Sequence, residues 1–304
     1  MTYNYLLAGE NLELAEAELK GFLRSQDIRE EPEREERLAE TESEPGQLKR
    51  LALTHEITEK LETVSKPEKA SYTPQKSFAV RAEEIEGEHN TKKIEEKLGN
   101  RLETKENSVN LENPEEEIKA YLFNDKIILG RKVEDINRGL FNKRSNEKRP
   151  FSSPVSLDPV LARVLVNLSE VSAGETVLDP FCGTGGILIE SGLCGCGVAG
   201  LDVKKEMVEG TRENLEEYGI IAHNIREDEA SKALELFEPS VLITDLPYGK
   251  ASKEKGDPVE DFLELLEEFD GRTVFMWNED ELGGYQAEFS IYVHKNLTRH
   301  VFIV

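Results

Sequence analysis

The stretch Asp179-Pro180-Phe181-Cys182-Gly183-Thr184-Gly185-Gly186 has the composition of a ligand-binding turn. Its glycines let the backbone bend sharply and approach a ligand closely, and a helix starting there offers unpaired N–H groups. It lacks the Gly-Lys-Ser/Thr ending of a phosphate loop. It also departs from the dinucleotide pattern G-x-G-x-x-G, because Gly186, Ile187 and Leu188 follow Gly185. Further on, Asp202 closes residues 197–202 (GVAGLD), where a carboxylate can accept both hydroxyl protons of a ribose. Asp228, within 226–231 (REDEAS), can accept from an adenine amino group, with Glu227 and Glu229 competing and a solvated loop acid as the plainer reading. Last comes Asp245-Leu246-Pro247-Tyr248-Gly249. An ionised Asp only accepts hydrogen bonds, an aromatic ring offers a stacking face, and proline stiffens the backbone between them. Together they would hold a planar group bearing an NH2; a simple strand-ending turn is the alternative.

These residues need elements to carry them, and the chain from Ser156 onward supplies an alternation. Residues 161–171 (LARVLVNLSEV) read as a helix, 176–181 (TVLDPF) as a buried strand, 185–193 (GGILIESGL) as a helix and 197–203 (GVAGLDV) as a strand. Then 206–219 (EMVEGTRENLEEYG) reads as a helix and 240–249 (SVLITDLPYG) as a strand running into a turn. Such alternation implies a parallel sheet with helices on both faces, with ligands gathering beyond the C-terminal strand ends. After a helix at 261–269, three more strands are expected at 273–278, 289–296 and 298–304, the last two able to close the sheet as a hairpin.

The first half reads as α+β. A strand at 2–7 (TYNYLL) precedes a helix with Leu12, Ala15, Leu19 and Phe22 or Leu23 on one face. Residues 29–46 are acid-rich and read as a loop, with one or two polar edge strands as the competing reading. Residues 48–64 (LKRLALTHEITEKLETV) are expected to be helical, 77–85 (SFAVRAEEI) a strand, 90–102 (NTKKIEEKLGNRL) a capped helix, and 109–133 two strands joined at Asn124-Asp125. Residues 131–150 reverse the local charge with Arg131, Lys132, Arg138, Lys143, Arg144, Lys148 and Arg149, either as a solvated linker or as a strip for phosphates.

The chain has 304 residues, enough for two domains. Its 62 acidic and 38 basic residues give a net charge of −24, which argues against a surface coated for non-specific nucleic-acid binding but leaves room for a local basic patch. The acidic excess also suits a high-salt interior, where repulsion is screened. The apolar runs at 121–129 and 161–168 are broken by polar residues, so no membrane span is expected. The start of the sequence has neither a basic region nor a cleavable apolar core, which reads as cytoplasmic. Cys182, Cys194 and Cys196 are too few for a disulfide framework and incomplete as a zinc site; buried free thiols are expected.

Taken in order, residues 179–185, Asp202 and the tetrad 245–248 resemble the class I S-adenosylmethionine-dependent methyltransferases that act on amino groups. Arg149-Pro150-Phe151 through Pro154, Ser156-Leu157, Pro159 and Leu161-Ala162-Arg163 resemble the segment preceding the catalytic domain in archaeal tRNA (guanine-N2)-methyltransferases that modify position 10. In that family a His commonly precedes the proline matching Pro154; here Ser153 stands there. Residues 77–85, 94–102, 109–123 and 127–133 resemble a THUMP domain, an RNA-binding module, and residues 1–50 match in outline.

The resemblance implies an α/β fold: a Rossmann-like methyltransferase domain with a mostly parallel seven-stranded sheet over 156–304, preceded by a smaller α+β RNA-binding region. That region divides into an N-terminal segment 1–50, a THUMP domain 51–133 and a basic linker 134–155. It implies S-adenosylmethionine over the glycine turn, with Asp179, Phe181, Gly183 and Gly185 on its methionine and ribose side, Asp202 at the ribose, Val203 and Asp228 at the adenine, and Phe151, Pro154 and Leu157 in the covering segment. Asp245, Leu246, Pro247 and Tyr248 would be catalytic. The family tetrad is usually Asp-Pro-Pro-Tyr, so Leu246 is a departure: its carbonyl can still accept from an NH2, on a less rigid backbone. The implied reaction is methyl transfer to guanosine N2 in tRNA, with no metal. Another base amino group in tRNA or rRNA, DNA adenine N6, or a non-catalytic RNA-binding protein with a vestigial cofactor fold are the alternatives. The implied partner is tRNA, with room for a small activator protein, and the implied state is a monomer off the membrane.

Overall fold

The computed structural model describes residues 1–44, 46–154, 156–247, 257–294 and 297–304. The chain divides into two units, one formed by Met1–Glu16, Ile28–Lys49 and Leu53–Asn137, the other by Ala17–Asp27, Arg50–Ala52 and Arg138–Val304.

In the first unit, strands β1 (Tyr3–Leu7), β2 (Glu33–Glu35), β3 (Leu38–Thr41), β4 (Thr54–Val64), β5 (Phe78–Glu84), β6 (Glu116–Leu122) and β7 (Ile127–Asp135) form one sheet ordered β2-β3-β1-β4-β7-β6-β5. The expected strands of 1–50 and 51–133 therefore share a single sheet. Helix α1 (Leu12–Arg24) follows β1, and α2 (Thr91–Leu102), capped by the Asn90 side chain accepting from Lys93 N at 3.0 Å, links the parallel pair β5 and β6. Phe78, Val80, Leu98, Leu102, Ile118 and Leu129 make its core. The acid-rich 29–46 stretch holds the edge pair β2 and β3, as the competing reading had it.

Residues 54–64, expected within a helix, are instead the long strand β4, hydrogen-bonded to β1 on one side and β7 on the other. Ile57, Leu61 and Val64 recur at helical spacing, but Thr54, Ile57, Thr58, Thr63 and Val64 are β-branched and stiff at χ1, which favours extended chain. Two of the buried polar residues that made the segment look like a solvated helix, Glu56 and Thr58, find partners inside. Glu56 meets Lys119 Nζ at 3.0 Å and the Tyr121 hydroxyl at 3.1 Å, and Thr58 accepts from Asn4 Nδ2 at 3.2 Å. Burial still pushes the Glu56 carboxyl above its usual range, against the pull of Lys119.

The second unit contains α3 (Pro159–Leu168), β8 (Thr176–Asp179), α4 (Gly186–Leu193), β9 (Gly197–Asp202), α5 (Lys205–Glu217), β10 (Ile225–Glu227), α6 (Ala233–Leu236), β11 (Val241–Asp245), α7 (Pro258–Glu268), β12 (Thr273–Trp277), the short pair β13 (Glu281–Leu282) and β14 (Tyr285–Gln286), then β15 (Phe289–His294) and β16 (Leu297–Ile303). The main sheet runs β10-β9-β8-β11-β12-β16-β15; the first five strands are parallel, and β16 is antiparallel to both its neighbours. Strand order reverses between β8 and β11, which opens a crevice at their C-terminal ends. In the core Phe262 meets Phe275 edge-on, and Phe275 stacks on Phe302 with ring centroids 4.5 Å apart.

Two early stretches of chain complete this unit. The buried Glu18 carboxylate accepts from Ala52 N and Asn167 Nδ2, each at 2.8 Å, while Arg50 donates to Asn167 Oδ1 and the Val171 carbonyl, each at 2.7 Å. The basic stretch is also packed. Phe141 is buried, and Arg144 grips the buried Glu190 with two nitrogens at 2.7 and 3.0 Å, sharing it with Arg163. Arg131 pairs with Glu59, and Lys132 with Glu117 and Asp135. Among the described residues no helix is long and apolar enough to cross a membrane.

Candidate functional site

Four neighbouring strands end in acid. Asp228 directly follows β10, and Asp202, Asp179 and Asp245 are the last residues of β9, β8 and β11. Parallel strands place these ends on one edge of the sheet, so the spacing of the four residues along the sequence becomes a row in space.

The glycine turn lies between β8 and α4. Gly183 (φ 51°) and Gly185 (φ 78°) take left-handed conformations that a side chain would strain. The Gly183 amide donates to Asp202 Oδ2 at 3.1 Å, and its carbonyl accepts from the Thr211 hydroxyl at 2.6 Å. Asp202 Oδ1 also accepts from Lys204 N at 2.8 Å; burial raises its carboxyl above the usual range, against these two amides. Beneath the turn, Asp179 is 2% exposed and its Oδ1 accepts from the Thr244 hydroxyl at 2.7 Å and from Phe181 N at 3.1 Å. Phe181 packs edge-on against Phe262.

Helix α5 clamps the segment that precedes the fold against this turn. Asn214 accepts from Phe151 N and donates to Phe151 O, both at 2.9 Å, and its amide also reaches Thr184 O at 2.9 Å. A Cβ at Gly210 would overlap the Phe151 ring, so glycine there admits the aromatic. The Ser156 and Thr184 hydroxyls lie 2.8 Å apart, and Leu157 is buried. Arg149 is buried too; its Nε donates to the Arg144 carbonyl at 2.9 Å, while its Nη1 and Nη2 find no hydrogen-bond partner among the described residues. They sit by Gly186, the first residue of α4, and burial lowers the guanidinium's affinity for its proton.

Of the expected site residues, the structure brings Phe151, Leu157, Asp179, Phe181, Gly183, Gly185 and Asp202 around one turn, and Asp245 to the adjacent strand end. Val203 is exposed beside Asp202, and Asp228 is half-buried, accepting from Glu229 N at 3.0 Å. Pro154 and Pro247 are exposed; Tyr248 lies outside the described residues. Leu246 is fully buried among Phe262, Leu265 and Phe275, and its amide donates to the Met276 carbonyl at 3.1 Å. The stiffness that a proline would have lent is supplied here by a buried side chain and a hydrogen bond that proline cannot make. Cys182, Cys194 and Cys196 are free and buried, their thiols pushed up by burial.

One neighbour of the tetrad was not anticipated. Arg299 on β16, 8% exposed, reaches over β12 and pairs through Nη1 with Asp245 Oδ2. The signal available was parity: Arg299 shares the strand face of Val301, a core residue, and a lone cation on a buried face needs a partner.

Residues 146–281 match the family model described as RMKL-like, methyltransferase domain. The chain is 37% identical over 283 residues to the tRNA (guanine(10)-N2)-dimethyltransferase of Methanothermobacter thermautotrophicus, spanning 84% of this chain and 83% of that one. It is 34% identical over 245 residues to the enzyme of the same name from Pyrococcus abyssi, spanning 75% and 74%. Among solved structures, TrmN from Thermus thermophilus aligns over 100% of this chain and 99% of its own with a TM-score of 0.57 at 20% identity, a likeness of fold.

Proposed function

The chain belongs to the family of the archaeal tRNA (guanine(10)-N2)-dimethyltransferases, and from that membership and the site we propose that it transfers methyl groups from S-adenosylmethionine to the exocyclic N2 of guanosine 10 in tRNA, twice. The observation that carries this reading is the placement of Asp245 and the glycine turn at the ends of adjacent strands, on either side of the crevice where the strand order reverses.

The residues present fit the cofactor. The Nη1 and Nη2 of Arg149, beside the start of α4 and without a hydrogen-bond partner among the described residues, suit the carboxylate of an amino acid, and the row of strand-end carboxylates suits its cationic groups. Asp202 would take the ribose hydroxyls and Val203 and Asp228 the adenine, under a cover formed by Phe151, Pro154 and Leu157. When bound, S-adenosylmethionine supplies an electrophilic methyl group on a sulfonium.

The chain's own residues do the rest. Asp245 accepts one N2–H and the Leu246 carbonyl the other, which localises electron density on a nitrogen otherwise delocalised into the ring; Pro247 and Tyr248 would fix the plane of the base. Positioning is the larger contribution, because the reaction needs nitrogen, carbon and sulfur in line. Asp245 need not be a strong base, since the proton leaves after transfer, when the nitrogen is more acidic. After the first methylation one N–H remains for Asp245, so the same acceptor serves the second. The target base must leave its stack to reach this crevice.

For the RNA we propose the first unit, read as a THUMP-type module working in the cytoplasm. Lys93, Lys97 and Arg101 stand at i, i+4 and i+8 on one exposed face of α2, and the turn carrying Lys66 and Lys69 packs against that helix. Phosphates can be tracked by such a stripe without a basic surface overall.

The test is methyl transfer from labelled cofactor to unmodified bulk tRNA by the wild type and Asp245→Ala, with nucleoside analysis. N2,N2-dimethylguanosine from the wild type, reduced at least about 100-fold in the variant while cofactor binding persists, is the expected outcome. Cofactor binding without tRNA methylation would remove tRNA as the substrate, and label in another nucleoside would remove guanosine.

A further inference from the structure

Arg299 is an expensive residue where it stands. It sits 8% exposed on a strand whose next buried-face residue is the core Val301, and an unpaired cation there would cost far more than any apolar side chain. The strand register explains how it reaches the tetrad. Asp245 on β11 pairs with Met276 on β12, which pairs with Val301 on β16; Arg299, two residues before Val301 on this antiparallel strand, lies beyond Asp245 in the direction of the crevice. From there its Nη1 reaches back to Asp245 Oδ2. The reversed direction of β16 is what makes this possible, because a parallel strand would bring its later residues to that edge.

We propose that Arg299 is a positioning residue for the methyl transfer: it holds Oδ2 of Asp245 so that the carboxylate stays ionised and turned to accept the amino group of the base. The proposal rests on the reading of Asp245 as the acceptor of that amino group. A carboxylate has about four acceptor positions, so a guanidinium on one oxygen leaves capacity for an N–H of the substrate. The need for a cation follows from the neighbours. On β8, Asp179 is close enough for the two carboxylates to raise one another's affinity for protons, and Asp202 on β9 adds to the same field. From β12 the adjoining residue is Met276, and beyond β9 Lys204 acts on Asp202, so Arg299 is a cation placed directly on Asp245, where it offsets the negative charge. Removing that cation raises the affinity of Asp245 for a proton, and a protonated carboxyl has less capacity to accept an N–H.

The experiment compares wild type, Arg299→Gln and Arg299→Lys in three readouts: the carboxyl-carbon NMR titration of Asp245, assigned through Asp245→Asn; the pH profile of kcat/KM for tRNA; and affinity for S-adenosylmethionine. In Arg299→Gln the carboxyl titration and the acid limb of the profile are expected to move up by about one pH unit, about a tenfold loss of rate on the acid side, with cofactor affinity within about twofold of wild type. Arg299→Lys keeps the charge and loses the planar fork, so its acid limb should stay near wild type while kcat falls severalfold. It carries the test alone if Arg299→Gln does not fold. A titration and acid limb unmoved in Arg299→Gln, or a kcat of Arg299→Lys equal to wild type, would overturn the proposal, as would cofactor affinity falling in step with rate. If the wild type transfers no methyl to tRNA, the proposed reaction fails, while the carboxyl titration still decides the role of Arg299.

Discussion

Burial pushes the Asp179 carboxyl up to about 7, with the charges of Asp245 and Asp202 adding to the rise and the Thr244 hydroxyl and Phe181 amide opposing it. Because the folded protein holds this proton more tightly than the unfolded chain, with its ordinary value of 3.8, stability falls as pH rises from about 4 to about 7 and then levels. Asp179→Asn keeps an acceptor for Thr244 and Phe181 and has no proton to lose. It should therefore be more stable than wild type by about 2–4 kcal/mol at pH 8, the gain vanishing as pH falls toward 4. Urea denaturation at both pH values checks this; a gain equal at the two pH values would mean that Asp179 ionisation is not the cause. Residues such as Asp179, Gly183 and Asp202 were legible in the sequence because their chemistry lies in residue type and in order along the chain. Arg299 was not, because its meaning depends on β16 lying next to β12, a pairing that no local pattern encodes.

Strand β11 ends in Asp245, and Leu246 continues its ladder to β12 by donating to the Met276 carbonyl while its side chain fills the core. Leu246→Pro would restore the tetrad that is usual in the family and remove both contributions, the hydrogen bond worth about 1 kcal/mol and part of the burial about 1 kcal/mol more. The expected result is a melting temperature lower by about 4–8 °C in calorimetry, and an unchanged one would show that these contacts do not hold the turn. The elements of the parallel sheet were readable because buried strands and amphipathic helices differ in period. Strand β4 was not: Ile57, Leu61 and Val64 imitate a helical face, and its buried polar residues are accommodated by distant partners, Lys119 and Tyr121 for Glu56 and Asn4 for Thr58.

Across the whole molecule, a net charge of −24 repels tRNA, while much of the positive charge in the first unit is tied up, as in the pairs of Arg37 with Glu83, Lys60 with Glu40 and Lys126 with Glu35. On the α2 stripe Lys97 is likewise paired, with Glu68 at 2.8 Å, so Lys93 and Arg101 should carry most of what the stripe contributes to the affinity. Reversing Lys93, Lys97 and Arg101 to Glu is expected to weaken tRNA binding about 10- to 100-fold at 0.1 M salt and to flatten the dependence of log affinity on log salt by about two to three. Filter binding across a salt series measures both, and an unchanged slope would place the phosphate contacts elsewhere. The sequence placed a boundary between segments at single points along the chain; contacts such as Glu18 with Asn167 and Arg50 with Val171 are invisible to it, because they join residues more than a hundred positions apart. Those contacts mean that the methyltransferase unit is not a cassette. A recombination event, or a nuclease-trimmed gene, that began at Arg138 would deliver the sheet and the glycine turn but leave Asn167 and Arg163 facing the gaps where residues 17–27 and 50–52 had been, so this catalytic unit can be inherited whole only with the early part of the chain that completes it.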